Sequence, residues 1–121
     1  MHIVWLKTEL LHPVNRGGRI RTYEMLRALR RQHRITYLAL DDGEAAPDAR
    51  ARASEYATAV ETVPFRIAPR GSFRFWTELA RNVPAPLPYS LARYRVPAFT
   101  EAAESLVRRD RPDVVVCDFL T

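Results

Sequence analysis

Cysteine occurs once in this 121-residue sequence, at Cys117, so no disulfide can form within the chain. A fold of this length must then be held by its core, and the lone thiol fits a reducing compartment. Lysine is equally scarce: Lys7 is the only one among 19 basic residues, and the rest are arginine. Two readings of that bias stay open. Arginine suits bidentate contact with phosphate or carboxylate, while a GC-rich coding sequence would give the same bias along with the abundant alanine and proline. The three histidines, His2, His12 and His33, show no metal-ligand spacing. With one cysteine available, no zinc or other metal site is expected. Long apolar runs are missing too. None approaches the roughly 20 residues of a membrane span, and the stretch from Met1 to Leu6 is too short for a signal-peptide core. A cytoplasmic protein is expected, with peripheral association at the inner membrane face left open.

What is present describes one folded domain spanning residues 1–121. The apolar fraction is 47%, the charged fraction 27% and the net charge +5, values of a globular rather than a disordered chain. The positive balance favours an anionic partner. Nucleic acid is not expected as that partner, because the arginines are scattered and no reading helix or binding signature collects them.

Ile3 to Leu6 is a short apolar run that reads as a buried parallel strand. A loop follows to Gly18, then a helix over 19–32 whose stripe is Ile20, Tyr23, Leu26 and Leu29. Residues 35–40, β-branched and aromatic, read as a second strand closed by Asp41-Asp42-Gly43. Strand, helix and strand within about forty residues make a right-handed βαβ unit. Further on, residues 47–58 suggest a solvated helix, 60–65 a short third strand and 73–81 another helix. Prolines 84, 86 and 88 mark a loop, since proline cannot donate to a ladder. Pro97 can open a helix carrying Phe99, Ala103, Leu106 and Val107, ended by Arg111-Pro112. Asp113 to Phe119 reads as a buried parallel strand. Such a strand ordinarily feeds another helix, so a truncated chain is expected. The fold class is α/β, a Rossmann-like parallel sheet flanked by helices.

The loop into the first helix, Pro13-Val14-Asn15-Arg16-Gly17-Gly18-Arg19-Ile20-Arg21, carries the most chemistry. In an open parallel sheet, ligands bind beyond the carboxyl ends of the strands, where this loop lies. Glycines admit a close approach to backbone, and a helix start presents free N–H groups and positive potential. Arginines at 16, 19 and 21 add formal charge, which suits a phosphate or a carboxylate. A tight turn with a helix cap is the alternative use of the glycine pair. The dinucleotide fingerprint and the Gly-Lys-Ser/Thr phosphate loop are both absent, so no nicotinamide or ATP cofactor is expected.

Pro13, Gly17-Gly18, Arg21, Leu26, Leu29 and His33-Arg34-Ile35 together resemble the start of bacterial glycosyltransferases of family 4. Pro86-Leu87-Pro88, Tyr94 and Arg111-Pro112-Asp113-Val114-Val115-Val116 are similar to that family's approach to its fourth strand. The resemblance implies a two-domain (GT-B) enzyme that moves a sugar from a nucleotide-sugar to a glycan or lipid-linked acceptor, with the nucleotide-sugar as substrate and no further cofactor. It makes this chain the incomplete acceptor-side domain, inactive without the donor-binding domain. By the same resemblance Gly17, Gly18, Arg19 and Arg21 face the donor diphosphate. Asp118, at the carboxyl end of a strand, is a possible base or acceptor contact, or else a loop aspartate; retaining members need no such base. His12, in the loop, is a possible acceptor contact.

Two other readings belong beside this one. The segment from Phe65 to Val83 is aromatic and basic. It is expected to pack Phe75, Trp76 and Leu79 into the core, and the same composition would suit an anionic membrane surface. The whole chain also fits a non-catalytic α/β anion-binding or interaction domain, the remnant of a broken gene. An open sheet edge would favour self-association.

Overall fold

The structure is a computed structural model and describes residues 1–43, 45–66, 68–92 and 94–118, with the side chains of 90 and 91 left out. Four strands and five helices alternate along it. The order is β1 (His2–Lys7), α1 (Gly17–Leu29), β2 (Arg34–Asp41), α2 (Ala49–Arg52) running into a 3-10 turn (Ala53–Glu55), β3 (Ala59–Pro64), α3 (Phe73–Asn82), α4 (Tyr89–Ala92), α5 (Pro97–Asp110) and β4 (Val114–Asp118). The sheet has the order β3-β2-β1-β4 and every pairing is parallel. It is a Rossmann-like α/β fold.

Side-chain alternation divides the core in two. Ile3 and Trp5 of β1 join Ile35, Tyr37 and Ala39 of β2 on one face, under Leu26 of α1 and Ala49 and Ala53. Val4, Leu6, Leu38 and Leu40 lie on the other, under Phe99 and Leu106 of α5. Both faces of the central strands are therefore covered, which is why β1 and β2 read as unbroken apolar runs.

Several boundaries and faces differ from the sequence reading. Helix α1 starts at Gly17 and ends at Leu29, so the glycine pair is its first turn rather than part of the loop. Its buried residues are Thr22 and Leu26, and Tyr23 and Leu29 pack half-buried against the core as expected; Ile20 is 46% exposed. The expected solvated helix over 47–58 is a short α-helix and 3-10 turn whose small Ala49 and Ala53 are buried and let it lie close to the sheet, and Tyr56 and Ala57 directly after it are buried too. Among the described residues no side chain of α3 is buried, and Trp76 is 58% exposed, against the expected core packing. Helix α4 was not expected from the proline-rich stretch before it.

Helix α5 begins at Pro97 and stops where Arg111 turns left-handed at φ 43°, ahead of Pro112. Asp113 then fixes the start of β4 against β1, its carboxylate accepting the His2 N–H at 2.6 Å. The expected buried strand is an edge strand, with Val114 39% and Val115 41% exposed; Phe119 lies outside the described residues. The chain winds from β1 through β2 to β3, then returns past β1 to β4. The sheet thus reverses its direction of growth between β1 and β4, and the crevice at their carboxyl ends is the ligand position of such folds.

Candidate functional site

Lys7 ends β1 and Asp118 ends β4, and the register places them side by side. Both point to the α1 face. The Lys7 ammonium is wholly buried and donates to Asp118 Oδ2 at 3.0 Å. Thr22, on the buried stripe of α1, donates its hydroxyl to the same oxygen at 2.7 Å. Arg21, the next residue on the helix, reaches Oδ1 at 3.4 Å while its side chain stays 64% exposed. Burial pushes the Asp118 carboxyl up, but the Thr22 and Lys7 hydrogen bonds and the Lys7 charge outweigh it, so the group sits below the usual carboxylate range. Asp118 is thus ionised, with both oxygens occupied.

Beside this cluster α1 begins without a side-chain cap. Arg16 holds the N-cap position in an extended conformation, and the first ladder bond is from Ile20 N–H to Arg16 O at 2.9 Å. The amides before Ile20 have no place in the helix ladder. Gly17 and Gly18 are both exposed, neither adopts a positive φ, and a Cβ at either would meet nothing within 4 Å. The fold does not demand glycine at these positions. Their lack of side chains leaves the helix start bare to solvent.

The four charged or polar residues expected near this edge divide. Arg21 is there, steered by Asp118, and Arg16 is exposed beside it. Arg19 turns away: its guanidinium binds the Glu9 carboxylate, with Nε at 2.9 Å from Oε2, and the Pro13 carbonyl at 3.2 Å. It braces the loop instead of offering a free cation. His12 is 2% exposed, its ring against Tyr23 and Tyr56 and its Nε2 at 3.5 Å from Glu55. A contact between its side chain and an acceptor would require the loop to open. That loop is pinned: Leu10 and Leu11 are buried, and the Tyr37 hydroxyl donates to the Glu9 carbonyl at 2.8 Å.

The same carboxyl edge holds a cleft that the sequence did not announce. It lies past β2 and β3, has a volume of about 640 Å³ and is walled by Asp41, Asp42, Pro64, Arg66 and Arg74. It adjoins a second hollow of about 350 Å³ beneath α3, with Phe65, Arg66, Ala68 and Arg74 common to both. Asp41-Asp42 read only as a strand terminator, and the arginines only as surface charge. Parallelism of all the strands, visible in the βαβ pattern, was the signal that put them on the glycine-loop edge. Among the described residues no group of three metal-ligating side chains converges. Compared with known protein families, curated proteins and solved structures, the chain matches none.

Proposed function

We propose that this chain is the acceptor-side wall of a nucleotide-sugar-dependent glycosyltransferase with two facing domains. One observation carries the reading: a bare glycine helix start lies beside Arg21 at the switch point, and Arg21 is aimed by Asp118, itself held by Lys7 and Thr22.

In sugar transfer, the bond from the anomeric carbon to the nucleoside diphosphate breaks and leaves charge on the diphosphate. The acceptor hydroxyl forms the new bond and gives its proton to the departing diphosphate. Amides at a helix start and an exposed guanidinium stabilise that leaving charge where it develops. Asp118 serves as a positioning residue for Arg21, since an ionised carboxylate with both oxygens engaged has little left with which to take a proton. Arg19 fixes the loop on which the helix start rests. The cleft past β2 and β3, on the same edge, takes the acceptor, with Arg66 and Arg74 at its wall. The nucleotide belongs to a second domain facing this edge, outside these residues, so this chain alone binds without turnover.

The saturation of Asp118 favours one other reading, an anion-binding α/β domain that does no chemistry. Thermal unfolding of this chain, and of any longer protein its gene encodes, with UDP-, GDP- and dTDP-sugars and with pyrophosphate, separates the two. Ligand at a hundred times its Kd stabilises a folded protein by about 2.7 kcal/mol. A nucleotide-sugar shift in the longer protein, with label moved to a glycan or lipid acceptor, supports the transferase. Arg21→Ala should then lower turnover by about a hundredfold, the scale of one lost donor to a developing oxyanion. Stabilisation by pyrophosphate alone supports the anion-binding domain, and no shift with any ligand sinks both.

A further inference from the structure

Helix α3 leaves an apolar stripe in solvent, with Arg74 and Arg81 exposed at its margin and Glu78 and Asn82 half-buried. Arg74, Glu78, Arg81 and Asn82 line the hollow beneath it. Phe73, Trp76, Ala80 and Val83, spaced so as to fall on one face of a helix, all stand in solvent. Phe73 is 86% exposed, Trp76 58% and Val83 81%. Phe75 and Leu79, on the flank of the same apolar arc, are half-buried, with the Phe75 ring 5.6 Å from that of Tyr89. The helix has a firm start, Ser72 Oγ accepting the Phe75 N–H at 3.1 Å. An ordered stripe of this kind ordinarily faces a core, and among the described residues nothing covers it.

Charge indicates what does. Residues 65–88 carry arginines at 66, 70, 74 and 81 against the single acid Glu78, a local charge of +3. Leu87, among exposed prolines in the loop after α3, is 38% exposed. A stripe one helix wide falls well short of the roughly 800 Å² per partner that a stable protein interface buries. The same stripe suffices for reversible insertion at the boundary between lipid headgroups and acyl chains. Tryptophan is at home at that depth, and arginine reaches from it to phosphate.

We propose that α3 and the proline loop after it form a docking surface for an anionic lipid bilayer, with Phe73, Trp76 and Val83 inserted and the surrounding arginines on the lipid phosphates. The inference stands apart from the transferase reading.

The test is sedimentation of the full chain with vesicles of phosphatidylglycerol and phosphatidylcholine, against vesicles of phosphatidylcholine alone, read together with tryptophan emission. Trp5 is buried, so a blue shift on binding reports Trp76. Binding to the anionic vesicles, weakened by salt and accompanied by the shift, is expected. Phe73→Ser with Val83→Ser should weaken it about tenfold or more, from the apolar surface withdrawn. Because both side chains are exposed, emission without lipid should be unchanged and serves as the check on folding. Arg70→Glu with Arg81→Glu should remove the preference for anionic lipid. Equal sedimentation with both kinds of vesicle, or with neither, would overturn the proposal. So would a concentration-dependent dimer abolished by the Phe73 and Val83 changes, which would make a second copy the occupant.

Discussion

Asp118 and Lys7 show how a buried charge is tolerated at the end of a parallel sheet. The carboxylate lies among apolar neighbours and is met by an ammonium and a hydroxyl from two different elements. Removing one partner of such a pair costs far more than the pair itself contributes. Lys7→Met should therefore lower the free energy of unfolding by about 3 kcal/mol or more, and adding Asp118→Asn should restore most of the loss. Urea titration of the two variants measures this; a double variant as unstable as the single would remove the charge argument. His12 gives the residue scale a pH signature. Burial and then Arg52 lower its pKa from 6.5, against the raising effect of Glu55 and Asp48. A folded-state value below the unfolded one means that its contribution is complete above pH 6.5 and is lost as pH falls from there through the lowered folded-state value. Glu55, held down to about 2 chiefly by the Tyr23 and Arg52 hydrogen bonds, loses its own contribution only below its ordinary 4.5. Melting curves of His12→Gln should accordingly lack the decline that begins near 6.5 and keep the one that begins near 4.5.

Helix α1 carries two kinds of information in one segment. Thr22 and Leu26 hold it on the sheet, while Gly17 and Gly18 leave its start uncovered. Alanine at position 17 meets open space and no positive φ, so Gly17→Ala should stabilise the protein by up to about 1 kcal/mol through the unfolded chain and helix propensity. If the helix start receives a diphosphate, the same change should weaken nucleotide-sugar binding. A rise in melting temperature alongside unchanged binding would argue that the glycines serve no ligand. At this scale the sequence was readable where burial is uniform. β1, β2, α1 and α5 showed themselves through apolar runs or a 3.6-residue stripe, because their partners lie along whole faces. α3 showed its period equally well, but not its direction: a helical stripe has the same spacing whether it faces a core or solvent. The 47–58 segment was misread for the opposite reason, since alanines pack closely without an apolar signature.

At the scale of the sheet, β4 is an edge strand among the described residues. β4 shows Val114 and Val115 to solvent, and Cys117 is exposed on the same strand. Open apolar edges template pairing with another chain. Light scattering should show association that rises with concentration, is reduced by Val115→Lys and is insensitive to Phe73→Ser. A monomer at all concentrations would mean that the twist and short length of β4 suffice to block pairing. No helix among the described residues is long and apolar enough to cross a membrane.

Alternation of strand and helix signals determined by itself that the sheet is parallel and Rossmann-like, and with that which ends of the strands lie together at the edge where such folds bind ligands, since crossover handedness and strand polarity leave little choice. It determined that Gly17, Gly18, Arg21 and Asp118 lie on that edge. Tertiary structure alone decided which of the charges there are free: Glu9 draws Arg19 away, Tyr23 and Tyr56 close over His12, and Lys7 meets Asp118 across 111 residues. Those pairings depend on side chains brought together by strand order and register, and no local spacing encodes them.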